Sequence, residues 1–326
     1  MAINLPPVEI QATQKQWTGK EISAVYENAI ELSTNKSFMR GILTAFTLLN
    51  SIVLGFGFYL LMRMRIEMHT HRFIKEDIVI GISYDLLSII AALAVISLHT
   101  FFLRNELFTH LKDAILFNRK HKTVSIFKVR YIWWKPFSSW PLQIETYPWN
   151  QVKARIEGGV SGNINVPQYR CTLWLDILDK PDGRKVINKF LVGFASGFSE
   201  DRIALWEHVR RYMNGYGPAM NEECKLWRED LSSPKKAFLD NLFPSHDPTR
   251  MAFNILLFPL ALPIALCAAL AVWTSKTSAW PQDILNAAGA GPLNDEQIQV
   301  LIQAEKHLAP PVVIEAESKP LFARLD

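Results

Sequence analysis

The chain is poor in cysteine: Cys171, Cys224 and Cys267 are the only three among 326 residues. An odd count without CxxC spacing excludes a disulfide framework and a thiolate metal knuckle, and it suits a reducing compartment for the polar part of the chain. Catalytic signatures are missing too. There is no G-x-S-x-G, H-E-x-x-H, Walker loop or kinase motif set. GFGF at 55–58 lacks the third glycine of a dinucleotide fingerprint and lies inside an apolar run. His69 and His71 have no further ligand cluster beside them. The expectation is therefore no catalytic residue, no cofactor, no metal site, and a protein that is not an enzyme. The opening MAINLPPVEIQATQ has no basic region followed by an apolar one, so it does not read as a cleaved signal peptide. No internal repeat is visible.

A net charge of +4 and a pI near 8.8 raise nucleic acid as a partner. The cations, however, gather beside apolar segments: Lys36, Arg40, Arg63, Arg65, Arg104, Arg119, Lys120, Lys122, Lys235, Lys236 and Arg250. Lipid headgroups and membrane topology draw cations to such places, so no nucleic acid is expected.

What the chain has is three long apolar runs, Ile42–Met62, Ile78–Leu103 and Met251–Trp273, hidden within a mean hydropathy of only +0.07. Each is long enough to cross about 30 Å of hydrocarbon as a helix. The expected organisation is a polar segment (1–41), a transmembrane hairpin (42–103), a soluble domain (104–218), a linker (219–250), a third transmembrane helix (251–273) and a tail (274–326). With three crossings, the N-terminus and the soluble domain share one side of the membrane, and the hairpin loop and tail share the other. Lys and Arg near the span ends favour a cytoplasmic domain, although the loop itself carries Arg63, Arg65, Arg72 and Lys75.

In the polar segment Ile22, Val25, Tyr26, Ala29 and Ile30 recur at helical spacing and predict a short amphipathic helix. The soluble domain reads as successive short strands. AILF (114–117) and TVSIF (123–127) flank a polar turn, followed by YIWW (131–134), LQIETY (142–147) and QVKARI (151–156). YRCTLWLDIL (169–178) alternates, with Cys171, Leu173, Leu175 and Ile177 on one face, and turns through Pro181-Asp182-Gly183 into KVINKFLV (185–192). A helix capped at Ser199 then carries Leu205, Trp206, Val209, Tyr212 and Met213 as one stripe and stops at Gly215 or Gly217. Arg210 and Arg211 fall on its polar face. In the tail, Asn294 and Gln297 form a capping-box pattern. The fold class expected is an α+β integral membrane protein: three transmembrane helices plus an antiparallel β domain closed by a helix, a pleckstrin-homology-like (PH-like) order.

Candidate partner-binding residues come from the spans. Gly81, Asp85, Ser88, Ala92 and His99 fall near one line of a helix. Asp85 reads either as an intramembrane carboxylate, serving a relay or a protein contact, or as an interfacial residue with His99 near the opposite headgroups. Thr47, Ser51 and Gly55 repeat every four residues with Asn50 adjacent, and Ala261, Ala265 and Ala269 do the same in the third run. Small residues so spaced let helices approach closely, to pack the spans together or to receive a foreign helix. Pro259 and Pro263 should kink the third span. Trp149 and Trp206 join the candidates from the soluble domain; core packing and contact at the membrane interface both remain open for the tryptophans around the early strands.

ETYPWNQVKARI (145–156) and ALWEHVRRYMNGYGP (204–218) together resemble an uncharacterised bacterial inner-membrane family found beside type VI secretion effectors, notably colicin-like membrane-permeabilising ones. The shared features are Pro148-Trp149 ahead of a strand, and a helix of the form A-L-W-x-x-[VI]-R-x-Y-M ending in Gly217-Pro218. The likeness spans roughly residues 40–220. It implies a multi-pass protein of the bacterial inner membrane whose partners are the lipid bilayer and a cognate membrane-targeting, pore-forming toxin that it neutralises as an immunity protein. Two rivals stand beside this: a membrane-anchored adaptor or lipid-sensing module, and a small transporter or channel subunit using Asp85 and His99.

Overall fold

The computed structural model describes residues 2–308 except 6–11, 14–16, 18, 20, 34–40, 72–77, 109, 111–113, 131, 133, 136–137, 139, 162–167, 182, 227–232, 245–247 and 277. For residues 2–3, 61, 64–65, 67–71, 78–85, 87, 91, 98, 105, 160–161, 168–169, 194 and 250 it describes the backbone alone. The described chain is α+β with two antiparallel sheets. One, in the order β1-β7-β8-β9, comprises β1 (Ala2–Asn4), β7 (Val152–Ser161), β8 (Gln168–Leu178) and β9 (Val186–Ser196). The other, in the order β2-β3-β4-β5-β6, comprises β2 (Ile22–Val25), β3 (Ala29–Ser33), β4 (Ala114–Asn118), β5 (Thr123–Val129) and β6 (Leu142–Pro148).

The alternating pattern of β8 sorts as expected, with Cys171, Leu173, Leu175 and Ile177 all buried. Helix α3 (Ser199–Asn214) lies against β7, β8 and β9, placing Leu205, Trp206, Val209, Tyr212 and Met213 in the core between the sheets. Its glycine stop is Gly215, left-handed at φ 87°, where a Cβ would be strained. Ser199 opens the helix without serving as its side-chain cap; the preceding Phe198 occupies that position.

The first correction concerns the N-terminal segment. Ile22, Val25, Tyr26, Ala29 and Ile30 form a β-hairpin, with the Tyr26 amide donating to the Ala29 carbonyl at 2.8 Å. β3 pairs with β4 from Ala29↔Asn118 to Ser33↔Ala114. That distant partner supplies a ladder of backbone bonds, and tertiary pairing overrides the local helical spacing. YIWW is likewise no strand where described: β5 ends at Val129, and Ile132 and Trp134 lie in the connection to β6.

The tail gives the second correction. Helices α7 (Gln282–Ala288) and α8 (Asp295–Glu305) pack on the β domain rather than lying across a membrane from it. Ile298 and Ile302 enter the main core, while Trp280 and Ala288 cover the opposite face of the five-stranded sheet with Tyr26, Ala29, Ala114, Leu116 and Phe127. Burial on both faces explains why β4 reads as an unbroken apolar run. Asn294 and Gln297 form the expected capping box.

The first two apolar runs are the long helices α1 (Ile42–His71) and α2 (Ile78–Glu106), packed on each other. Among the described residues one helical segment, Ile42–Leu60, is long and apolar enough to cross a membrane. The third run is not one continuous helix. It is α5 (Pro248–Leu256) and α6 (Phe258–Thr274), separated at Leu257, with the shorter α4 (Pro234–Leu242) beside α6. Pro259, near the start of α6, has no N–H for the preceding turn, and the run is interrupted beside it at Leu257, with helical bonds on either side. Pro263 is accommodated inside α6.

Candidate functional site

Where the long helices meet the β domain, buried polar groups converge that the sequence did not single out. Glu106, the last residue of α2, turns its carboxylate onto the first turn of α1. It accepts from the backbone amides of Gly41 (3.1 Å), Leu43 (3.0 Å) and Thr44 (2.8 Å) and from the Thr44 hydroxyl (2.5 Å). Helix starts leave amides without intrahelical partners and carry a positive dipole end, so an anion there is doubly favourable. Gly41 has φ 88°, and a Cβ on it would lie 2.5 Å from the Ala268 nitrogen and 2.6 Å from the Ile264 oxygen of α6. Only glycine lets α1 start this close to the α6 backbone. The three apolar segments thus meet at one foot.

Beside it, the Arg104 guanidinium stacks 3.8 Å from the Trp140 ring centroid and donates to the Leu107 carbonyl at 3.1 Å. His110 places Nε2 2.7 Å from the Trp140 carbonyl and bridges by its backbone to Lys276 just after α6. These contacts fix the direction in which the helices leave the domain.

A second polar cluster straps the N-terminal segment across α3. Glu207 accepts from the Ala12 amide (2.9 Å) and from Arg210 through Nε (2.8 Å) and Nη2 (2.7 Å). Arg202 pairs with Glu21 at 2.5 Å. Asn221 and the Cys224 thiol both donate to the Trp17 carbonyl, at 3.0 and 3.4 Å. Arg210 is therefore a buried partner of Glu207 and not a solvated charge. Trp17 faces His208 with centroids 5.0 Å apart. Burial pushes the His208 pKa down to about 4 and that of Cys224 up to about 11. All three cysteines are free and buried.

The sequence candidates fare unevenly. Trp149 and Trp206 are core residues, 4% and 1% exposed, with centroids 5.4 Å apart, so neither offers a surface to a partner. Trp149 donates to Asn214 at 3.2 Å. Thr47 and Ser51 turn their hydroxyls back onto the Leu43 and Thr47 carbonyls, and Asn50 onto the Phe46 carbonyl. These hydrogen bonds stay within α1, as is common for polar residues on apolar helices. Gly55 is exposed. In α2, Ser88 and Ala92 are half-buried, and His99 holds Nδ1 2.8 Å from the Val95 carbonyl. The side chains of Asp85, His69 and His71 lie outside what is described, and Gly81 is placed by its backbone alone. Ala265 is fully buried in the packing of α6, while Ala261 and Ala269 are half-buried. Among the described residues no group of three His, Cys, Asp or Glu side chains is placed to hold a metal.

Glu106 has one sequence signal, its position. It is the first carboxylate after the second apolar run, and Gly41 stands immediately before the first. Charges at run ends are ordinarily assigned to solvent, so nothing in their spacing says that they meet.

Residues 90–292, well over half the chain, match a family of unknown function, DUF6708. The chain belongs to this family. The match runs from the second half of α2 through β4 to β9 and α3 to α7. No curated protein and no solved structure matches the chain.

Proposed function

We propose that this DUF6708 protein is a membrane-anchored binding protein of the bacterial inner membrane. In this reading α1 and α2 cross the bilayer as a hairpin, and the β domain, PH-like in its helix-closed order, rests on the cytoplasmic face. Its task is immunity: it binds and neutralises a membrane-permeabilising, colicin-like toxin of a type VI secretion system, without chemistry of its own.

The observation that carries the anchored part is the foot. Helix α1 exposes Phe46, Leu49, Ile52, Val53 and Phe56, each above half of its full surface, yet its first turn is locked to the domain through Glu106. Water penalises such a surface, at about 25 cal/mol for each Å² of apolar area, and lipid does not. A rigid junction also fixes where the domain sits relative to the bilayer. Lys276 lies at this foot beside His110, adding a cation to the domain side and favouring its cytoplasmic placement.

The toxin assignment rests on the resemblance of segments 145–156 and 204–218. These meet through Trp149 and Trp206 in the core, so they speak for a shared fold. The partner surface is then the exposed helical faces or the domain's outer rim. Co-expression tests it. Cells making the membrane-permeabilising toxin encoded beside this gene survive when the full chain is present and lose membrane potential when it is absent. Equal killing in both cultures discards immunity.

A lipid-sensing adaptor is the second reading, favoured by an open groove of about 360 Å³ on the four-stranded sheet, where Lys153, Arg184 and Asp176 line one mouth. It predicts that flotation of the full chain with anionic vesicles weakens in Lys153→Ala/Arg184→Ala. The transporter or channel reading through Asp85 predicts a flux that Asp85→Ala abolishes.

A further inference from the structure

We propose that the connection between β5 and β6 is a headgroup anchor: through Arg130, Trp134, Lys135 and Trp140 it rests on the anionic surface of the bilayer, beside the point where α1 and α2 leave the domain. This rests on the membrane placement proposed above, and it adds a lipid contact made by the β domain itself.

Position comes first. β4 begins at Ala114, shortly after Glu106 closes α2, and pairs there with Ser33. β5 ends and β6 begins at the same end of that sheet. Val129↔Leu142 is their last pair, and the Arg130 amide donates to the Pro141 carbonyl at 2.9 Å. The connection is also tied to the helices. The Trp140 ring stacks on Arg104, close to the end of α2, and its carbonyl faces His110 Nε2. Lys276 joins the same group through its bridge to His110. Because Glu106 caps the first turn of α1, whatever flanks Arg104 stands level with the start of the apolar helices. For a helix that enters lipid at its first turn, that level is the headgroup layer.

The chemistry suits this depth. Residues 128–141 include five aromatic side chains and three cations, and no aspartate or glutamate. Trp134 is 64% exposed, and Trp273, just before Lys276, is 73% exposed. Indole rings concentrate at membrane interfaces because they carry apolar area and an N–H together. The Lys135 amide donates to the Ile132 carbonyl at 3.0 Å, and Trp140 Nε1 donates to the Lys135 carbonyl at 3.0 Å, so Trp134 and Lys135 are presented by a closed turn. Lys128 is occupied by Glu145 at 2.7 Å. Arg130, Lys135 and Lys276 are exposed, and among the described residues none of them is in an ion pair. The nearby Glu106 is buried against the α1 amides. Exposed indoles beside unneutralised cations match phosphate-bearing headgroups, where each cation is worth about fivefold in occupancy.

The test uses the full-length chain in lipid nanodiscs, with an NBD fluorophore on a single added cysteine and phospholipids carrying a nitroxide quencher. The native chain, with its three buried cysteines, is the blank. In discs containing anionic phospholipid, Ser138→Cys is expected to be strongly quenched by a headgroup-level nitroxide. Lys120→Cys, across the seven residues of β5 at about 20 Å, is expected to be hardly quenched. Exchanging the anionic lipid for a zwitterionic one, or adding Arg130→Gln/Lys135→Gln, should weaken the contact about fivefold for each cation removed. Quenching of Ser138→Cys no greater than that of Lys120→Cys leaves the connection to a protein partner and overturns the anchor. Quenching that ignores both the lipid exchange and the double variant also overturns it, because the helices alone then set the proximity. Phe56→Cys, probed with a nitroxide deep in the acyl chains, reports on the helices separately. If that site is unquenched, α1 does not enter lipid and the underlying membrane reading fails instead.

Discussion

His208 is enclosed by α3, the Trp17 ring and the 219 carbonyl, where its Nε2–H donates at 3.3 Å. Its proton is disfavoured first by desolvation and further by Arg211, so its folded pKa near 4 lies below the ordinary value near 6.5. The unfolded chain therefore binds a proton that the folded chain refuses, and stability falls as pH drops through the window from about 6.5 to 4. The loss approaches about 3 kcal/mol at the lower end. Denaturant titrations of the detergent-solubilised chain at pH 7.5 and pH 4.5 should show it, and His208→Phe should flatten that part of the profile. At Glu106 the expectation is simpler. Glu106→Ala strands three amides and a hydroxyl and should cost about 1–3 kcal/mol. Amide exchange at residues 41–44 should rise by tenfold or more. Unchanged protection would mean that the carboxylate does not hold the helix start.

At the scale of elements, the junction between α1 and α6 depends on one absent methyl group. Gly41→Ala places a Cβ inside contact distance of the α6 backbone and imposes a left-handed φ on an L-residue. The expected cost is about 1–3 kcal/mol, released as loosened docking of α6. Limited proteolysis between Phe243 and Leu257 should accelerate in that variant, whereas Gly55→Ala, with open space around its position, should leave it unchanged. Elements with strong local codes were legible in sequence. β8 declared itself by alternation, α3 by its apolar stripe and Gly215, and α8 by Asn294 and Gln297. The N-terminal hairpin was not legible, because Ile22–Ile30 satisfies helical spacing as well as strand alternation. Only pairing with β4, more than eighty residues away, decides between them.

The whole molecule is a domain sewn from three distant stretches of chain. Arg119 of the β4–β5 turn pairs with Glu305 of α8 at 2.5 Å, and the Ala219 amide donates to the same carboxylate at 2.7 Å. Ile302→Ala should cost about 2–5 kcal/mol although it lies in the tail. A chain ending at Thr274 should fail to give a cooperative unfolding transition, because it loses Trp280 and Ala288 from one face of the five-stranded sheet and Ile298 and Ile302 from the main core. A fragment cut at 105–248 would lack β1, β2 and β3 for the same reason. Normal thermal unfolding of the truncated chain would show the tail to be an accessory.

The sequence by itself determined which segments are oily, which strands alternate and where helices start and stop, since those features depend on neighbours within a few residues. The candidate surface was hardly legible: Trp149 and Trp206 proved internal, because side-chain type fixes a preference for burial and not a position. Only the tertiary structure decided that Glu106 closes onto Gly41, that the tail returns to the core, and that the third apolar run is interrupted at Leu257. The first two depend on a partner far away in the chain, and a local pattern carries no record of distance in space.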